Sequence, residues 1–197
     1  MPTGKKKMDN NFDIETLDAM NKRCMNLATI AAHDYRSCDG KKRIYFAGPW
    51  FDERAALLYN ACERIIEQVI DKTDYLVYYP MNELNETPKD AFTNNVDMIN
   101  DCDAVIALVS RKDVGTAWEI GMAYALGKPV YLLGYDDTTF LSHTNVMLAF
   151  CGKCFTIDKL AKLLVEGLEE KDYVTIEDKW EGIELWQLFI TAMRMLK

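Results

Sequence analysis

Two acidic residues that could do glycosidic chemistry occur in the segment Asp113-Val-Gly-Thr-Ala-Trp-Glu119. The apolar run before this segment predicts a strand and the residues after it predict a helix. Asp113 is therefore expected at the strand exit and Glu119 in the early helical turns, so that both carboxylates can face one crevice. In glycosidic cleavage one carboxylate attacks the anomeric carbon. The other, kept protonated by its neighbour's charge or by burial, delivers a proton to the leaving group.

The same two residues also fit a purely structural interpretation, because acidic residues at the start of a helix complement the helix dipole. Glu119, however, lies within the apolar stretch Thr116-Ala-Trp-Glu-Ile-Gly-Met-Ala-Tyr-Ala-Leu126. A carboxylate is costly to bury in such surroundings without a function. These residues alone leave catalysis and dipole stabilisation both open.

A second segment of interest is Ile44-Tyr-Phe-Ala-Gly-Pro-Trp-Phe51, in which a β-rich run leads into a loop. Gly48 allows a close approach of the backbone. Trp50 and Phe51 either receive a flat aromatic ligand such as a nucleobase or pack in the core. The segment contains neither G-x-G-x-x-G nor Gly-Lys-Ser/Thr, so it is not a dinucleotide fingerprint or a P-loop.

Strands and helices alternate along the body of the chain. Short β-rich runs predict strands over residues 43–47, 75–79, 104–109, 129–133 and 154–157. Amphipathic spacing predicts helices over residues 52–70, 88–100, 116–126, 160–168 and 183–196. Because residues 104–109 are apolar throughout, we expect a parallel sheet covered on both faces.

The predicted fold class is α/β: a doubly wound, mainly parallel five-stranded sheet of the Rossmann or flavodoxin type, with helices on both faces. Residues 1–41 are expected to form a helical N-terminal extension, residues 42–157 the α/β core, and residues 158–197 a C-terminal helical segment packed on the core. Ligands of such sheets bind outside the carboxyl ends of the strands. The site is therefore expected within residues 47–51, 80–82, 110–115 and 134–137.

The composition argues against several classes of partner. The formal net charge is -8, whereas nucleic-acid binding rewards clustered lysine and arginine. A small neutral or weakly charged ligand fits better. No apolar run approaches the roughly 20 residues that span a bilayer, and the start of the chain lacks the apolar region of a signal peptide. We expect a cytoplasmic protein that binds neither nucleic acid nor membrane.

The cysteines predict no metal or redox centre. Cys151-Gly-Lys-Cys154 is a lone C-x-x-C, and the histidines of the chain are His33 and His143. A zinc site needs two more ligands nearby. The pair is interpreted as incidental thiols, while Cys62 and Cys102 fall in apolar patterns and are expected to be buried.

Four segments together resemble the nucleoside 2-deoxyribosyltransferase family over about residues 42–157. They are the first strand and loop 44–51, the stretch 94–108, the box 113–129 ending in Gly-Lys-Pro, and Asn145-Val-Met147. The resemblance implies transfer of a 2-deoxyribosyl group between nucleobases by a retaining, ping-pong mechanism. It implies 2′-deoxynucleosides and free nucleobases as substrates, a role in nucleotide salvage, no cofactor and no metal, and a dimer-based homo-oligomer.

The resemblance also implies roles for individual residues. Glu119 matches the nucleophile that forms a covalent deoxyribosyl-enzyme, Tyr45 the tyrosine that orients it, and Asp113 the aspartate that contacts and helps to protonate the base. Asn145 and Met147 match residues that reach the 5′-hydroxyl of the sugar in a neighbouring subunit's site. Substrate contacts are further expected from Gly48, Trp50, Phe51 and Gly115.

One position departs from the family pattern. A frequent sugar- or base-contacting aspartate falls on Asn95, and Asp97 follows two residues later. Asn95 offers a donor and an acceptor but does not titrate. Either Asn95 takes the positioning role, or Asp97 reaches in after a local shift.

Two alternative functions remain open. A hydrolase of deoxynucleoside 5′-monophosphates would need phosphate donors such as Ser or Arg in the first loop, but Pro49, Trp50 and Phe51 stand there. Arg54 and Arg111 are more simply interpreted as surface charges. A non-catalytic nucleotide-binding module would need the pocket without the catalytic side chains.

Overall fold

A parallel five-stranded sheet forms the centre of the molecule in a computed structural model, which describes residues 40–80, 85–109, 113–135 and 146–174. The strand order is β2-β1-β3-β4-β5, and every neighbouring pair is parallel. The doubly wound fold predicted from the sequence is confirmed. The strands are β1 (Lys42–Ala47), β2 (Tyr75–Tyr78), β3 (Ala104–Leu108), β4 (Val130–Gly134) and β5 (Lys153–Thr156).

Helices connect the strands and cover the sheet. Short 3₁₀ turns lie at Ile70–Lys72, Ile157–Lys159 and Glu170–Asp172. Within the described ranges, none of the helices has both the length and the apolar character that crossing a membrane requires. The α-helices are α1 (Glu53–Val69), α2 (Pro88–Asp101), α3 (Val114–Ala125), α4 (Val146–Ala149) and α5 (Leu160–Val165).

Local capping sets the starts of α1 and α2 close to the predicted positions. Asp52 caps α1, and its side chain accepts from the amides of Arg54 and Ala55 at 3.0 and 2.9 Å. Thr87 caps α2 and forms a reciprocal capping box with Asp90, while Pro88 occupies the first turn as expected. These caps satisfy amide groups that a helix start otherwise leaves without partners.

Two helix ends differ from the sequence prediction by two or more residues. Helix α3 starts at Val114 instead of residue 116, because Asp113 accepts a hydrogen bond from the Thr116 amide and so caps the helix. Helix α5 ends at Val165 instead of residue 168. Its chain reverses at Gly167, which has a φ of 81° and donates to the Lys162 carbonyl at 3.1 Å.

The sheet is buried on both faces, as the apolar third strand predicted. Alternate residues of a strand point to opposite faces, so Tyr45 and Val105 pack against α2 and α3. Ile44 and Ile106 pack on the other face against α1 and α5. Cys62 and Cys102 are buried as expected. Tyr45 thus lies on the same face of the sheet as the helix that carries Glu119.

Several predictions fall outside the described residues. They are the extension over residues 1–41 apart from its last two residues, the helix over residues 183–196, Asn145, and residues 81–82, 110–112 and 136–137 of the predicted site loops. The division of the chain into extension, core and C-terminal segment stays a prediction.

Candidate active site

A cavity of about 400 Å³ opens at the carboxyl ends of the central strands, where the sequence analysis placed the site. Loop residues after β1 and β2 form one side, α2 contributes another, and the start of α3 forms the third. The predicted site residues that line it are Gly48, Trp50, Phe51, Asn95, Asp113, Gly115 and Glu119.

Glu119 and Tyr45 form the innermost pair of this site. The Tyr45 hydroxyl donates a hydrogen bond to Glu119 Oε1 at 2.6 Å. Tyr45 is fully buried in β1, with its ring 5.6 Å from that of Tyr78. Because burial raises the pKa of the Tyr45 hydroxyl far above its ordinary value, this group stays a proton donor and holds the glutamate in one orientation.

The electrostatic surroundings of Glu119 oppose its ionisation. Burial, with a smaller contribution from the charge of Asp113, raises the pKa of Glu119 to about 7, although the hydrogen bond from Tyr45 acts in the opposite direction. A carboxylate with a pKa near neutrality, held in a cleft by a buried donor, is the kind of group that functional sites contain.

Asp113 caps a helix and also lines the cavity. It is the N-cap of α3, and its Oδ2 accepts from the Thr116 amide at 2.6 Å and from the Thr116 hydroxyl at 2.8 Å. The same carboxylate lines the cavity with Glu119. The interpretation of Asp113 as a residue that stabilises the helix start is therefore correct. Asp113 remains a candidate site residue, because it also lines the cavity.

Trp50 and Phe51 do not pack in the core. Their rings stack on one another with centroids 4.5 Å apart, and they are 42% and 73% exposed. Both rings line the cavity. Of the two interpretations of this pair, core packing is wrong, and an exposed aromatic platform at the cavity is what the structure contains.

Gly48 serves the core more directly than a ligand. A Cβ atom at this position would lie 3.0 Å from Cδ2 of Tyr59 and 3.1 Å from Cβ of Leu108. The close backbone approach expected at Gly48 is therefore made to the Tyr59 ring, and it brings the loop with Trp50 down onto the sheet.

The structure brings Asn95, and not Asp97, to the cavity. Asn95 is half-buried on α2 and lines the cavity, whereas Asp97 is exposed and is not among the lining residues. Met147 lies on α4 with 74% of its surface exposed and does not line this cavity. Its predicted partner Asn145 is outside the described residues.

Four lining residues were missed by the sequence analysis as individuals: Pro80, Asn85, Ala91 and Thr116. Thr116 had a signal, because it stands at the third position after a capping aspartate, where the N-cap side chain finds its amide partner. Asn85 precedes α2 and accepts a hydrogen bond from Asn94 Nδ2 at 2.7 Å. No local sequence pattern predicts this contact.

The described lining of the cavity combines aromatic and small apolar residues with carboxylate, amide and hydroxyl groups, and it includes no lysine, arginine or histidine. Across the described ranges, no three His, Cys, Asp or Glu side chains are arranged to hold a metal ion. Cys151 and Cys154 are free thiols. Cys154 is buried, and burial raises its pKa to about 12, so it is a poor nucleophile or metal ligand.

Comparison with known proteins bears on the family and the fold of the chain. The family model described as nucleoside 2-deoxyribosyltransferase matches residues 44–178. No curated protein sequence shows significant similarity to the chain. A 2-deoxyribosyltransferase from Bacillus psychrosaccharolyticus has the same fold, with a TM-score of 0.51 and 24% identity, covering 66% of this chain and 93% of that one.

Two further solved structures have lower TM-scores. One is a 2-deoxyribosyltransferase from Leishmania mexicana, with 29% identity, a TM-score of 0.41, and coverage of 54% of this chain and 76% of that one. The other is a CMP N-glycosidase from Clostridium botulinum, with 23% identity, a TM-score of 0.42, and coverage of 62% and 98%. Since the family model matches well over half of its residues, the chain belongs to the nucleoside 2-deoxyribosyltransferase family.

Proposed function

We propose that this protein transfers a 2-deoxyribosyl group from a 2′-deoxynucleoside to a free nucleobase through a covalent intermediate on Glu119. The observation that carries the proposal is the 2.6 Å hydrogen bond from the buried Tyr45 hydroxyl to Glu119 Oε1, at a cavity that Asp113 also lines. One carboxylate is held as a nucleophile, and a second stands where a leaving base can meet it.

In the first half-reaction, Glu119 attacks C1′ of the sugar from the face opposite the base. The Tyr45 hydroxyl donates its hydrogen bond to Oε1 of Glu119, so Oε2 forms the new bond to C1′. The C1′–N bond breaks through an oxocarbenium-like transition state, which the carboxylate stabilises before it bonds. The electron pair of the broken bond goes to the base nitrogen, and Asp113 delivers or relays the proton that neutralises it.

In the second half-reaction a different base enters the same cavity, and its ring nitrogen attacks C1′ from the face that the first base left. The ester bond to Glu119 breaks, the carboxylate recovers its electron pair, and the proton of the incoming base returns to Asp113 or to solvent. Two displacements at C1′ give retention of configuration and ping-pong kinetics. No metal or other cofactor takes part in these steps.

The charge of the cavity favours a nucleoside over a nucleotide. Its described lining includes two acidic side chains, Asp113 and Glu119. A 5′-phosphate would add negative charge to this environment. Stacked Trp50 and Phe51 at the rim offer a face for a base. Hydrolysis of deoxynucleoside 5′-monophosphates is therefore the weaker alternative, and a non-catalytic binding module would not require the Tyr45–Glu119 pair.

The protein is further proposed to act as a dimer-based homo-oligomer in the cytoplasm, with Asn145 and Met147 completing a neighbour's site. Exposed apolar side chains support an interface near the cavity. Val114 and Trp118 on α3 are 82% and 46% exposed, and Met147 on α4 is 74% exposed. Contiguous apolar patches mark interaction sites, and Val114 and Trp118 lie one helical turn apart on α3.

The proposal is tested by incubating the protein with 2′-deoxyinosine, with and without adenine, beside the Glu119→Ala variant. We expect 2′-deoxyadenosine only when adenine is present, and no product from the variant. Hypoxanthine and free deoxyribose formed at the same rate with or without adenine would identify a hydrolase. Thymidine and deoxynucleoside monophosphates are tested next. If no donor reacts, a non-catalytic binding module is the remaining function.

A further inference from the structure

Thr116 is a buried polar residue of the cavity wall that the proposed mechanism does not use. Only 4% of its surface is exposed, and it stands between Asp113 and Glu119 in the first turn of α3. A helix cap needs a backbone amide as donor, and the Thr116 amide supplies one to Asp113 Oδ2 at 2.6 Å. The Thr116 hydroxyl adds a second donor to the same oxygen at 2.8 Å.

The two oxygens of the Asp113 carboxylate differ in their hydrogen bonding. Both donors meet Oδ2, and within the described part of the chain Oδ1 has no hydrogen-bond partner. Gly115 leaves room for this arrangement, because a Cβ atom there would lie 3.2 Å from Oδ2. A terminal carboxylate torsion is otherwise broad, so two donors on one oxygen fix the plane of the group.

We propose that Thr116 is a positioning residue for base recognition, and this inference rests on the proposed function of the cavity. The Thr116 hydroxyl keeps Asp113 Oδ2 hydrogen-bonded to the start of α3. Oδ1 is then the oxygen that contacts the nucleobase. The class of ligand group recognised is a ring N–H or amino group of the base. The same oxygen passes the proton to the base that leaves and receives it from the base that enters.

Base capture is the step that this arrangement serves. The deoxyribosyl intermediate is resolved either by an incoming base or by water, and water needs no contact with an oriented carboxylate. A loosened Asp113 therefore weakens the reaction with base more than the reaction with water. The ratio of transfer to hydrolysis reports the orientation of Asp113, whereas a loss of folded protein lowers both reactions together.

The experiment compares Thr116→Val, Thr116→Ala and Thr116→Ser with the control Thr73→Val. Thr73 donates its hydroxyl to the Ile70 carbonyl at 2.8 Å, just before β2 at the opposite edge of the sheet. Removal of the Thr116 hydroxyl is expected to lower the transfer-to-hydrolysis ratio about tenfold and to weaken adenine binding, measured by calorimetry, by a similar factor, as for one hydrogen bond to a charged group. Thr116→Ser and Thr73→Val are expected to stay within about threefold of the parent protein.

Each outcome decides the inference. An unchanged ratio and unchanged adenine affinity in Thr116→Val or Thr116→Ala overturn it, as does a loss in Thr116→Ser equal to that in Thr116→Ala. Equal losses of transfer and hydrolysis, with adenine affinity retained, reduce Thr116 to a capping residue. If the parent protein binds adenine but transfers nothing, the proposed function fails while the calorimetric test of Thr116 still stands. If the parent protein neither binds adenine nor transfers a deoxyribosyl group, both the proposed function and the role of Thr116 are refuted.

Discussion

Tyr45 and Glu119 are joined by a hydrogen bond of 2.6 Å although 74 positions separate them in the sequence. The sheet makes this contact, because β1 lies beside β3 and α3 follows β3 on the face to which Tyr45 points. The pair places a protonated hydroxyl against a carboxylate whose pKa burial has raised to about 7. The ionisation of Glu119 should therefore govern the activity around neutral pH.

Substituting Tyr45→Phe removes the hydrogen bond that lowers the pKa of Glu119. The pKa of Glu119 then rises above about 7, so the ionised nucleophile appears only at higher pH. We expect the acidic limb of the kcat/KM profile to move to higher pH and kcat at pH 7 to fall by about tenfold or more. Tyr124→Phe, at an exposed position of α3, is the control. An unmoved limb would show that Tyr45 does not tune this carboxylate.

Substituting Asp113→Asn acts on Glu119 in the opposite direction. The charge of Asp113 raises the pKa of Glu119, so its removal lowers that pKa and shifts the acidic limb to lower pH. Asparagine still caps a helix well, which keeps α3 in place. The rate falls because the base loses its proton relay, by about a hundredfold in the range typical of general acid–base catalysis. Shifts of the same sign in Asp113→Asn and Tyr45→Phe would contradict this account.

The place of a residue in the site was easiest to predict where its neighbours in space are also its neighbours in the sequence. Asp113, Gly115 and Glu119 belong to one strand–helix connection, so their shared crevice followed from the sequence. Trp50 and Phe51 carried two interpretations, since aromatic residues suit a core and a binding rim equally. The contact of Gly48 with Tyr59, and that of Asn85 with Asn94, depend on how separate elements pack. Thr116 was missed because its hydroxyl matters only once Asp113 caps the helix.

The raised pKa of Glu119 also predicts a cost to stability. Its pKa in the folded protein is about 7, compared with the ordinary value of 4.5. Between these values the folded protein retains a proton that the unfolded chain releases, so the free energy of unfolding falls as the pH rises, and the full penalty applies above pH 7. The upper bound of that penalty is about 3 kcal/mol.

Glu119→Gln is therefore expected to be more stable than the parent protein at pH 8, by up to about 3 kcal/mol, and to differ by about 1 kcal/mol or less at pH 5. Denaturant unfolding at the two pH values measures the difference. The exposed Glu67→Gln on α1 is the control for the loss of a carboxylate elsewhere on the surface, and the growth of the Glu119→Gln effect with pH is judged against it. A stabilisation by Glu119→Gln that does not grow with pH would mean that Glu119 titrates normally in the folded protein.

Subunit exchange tests whether Asn145 completes a neighbour's site. Glu119→Ala and Asn145→Ala chains with different tags are co-expressed, and the hybrid is isolated. If Asn145 reaches the adjacent subunit, one site of each hybrid pair combines a native Glu119 with a native Asn145. The hybrid should then regain up to about half of the parent activity, although neither variant alone reaches that level.

A matched hybrid supplies the control, because Tyr45 and Glu119 meet within one chain. Pairing Glu119→Ala with Tyr45→Phe chains produces no site in which both residues are native, whatever the arrangement of subunits. This hybrid should stay at or below the activity of Tyr45→Phe alone. If the hybrid of Glu119→Ala and Asn145→Ala is likewise no more active than Asn145→Ala, then Asn145 acts in its own subunit. The exposed apolar residues of α3 and α4 would then need another explanation than a shared site.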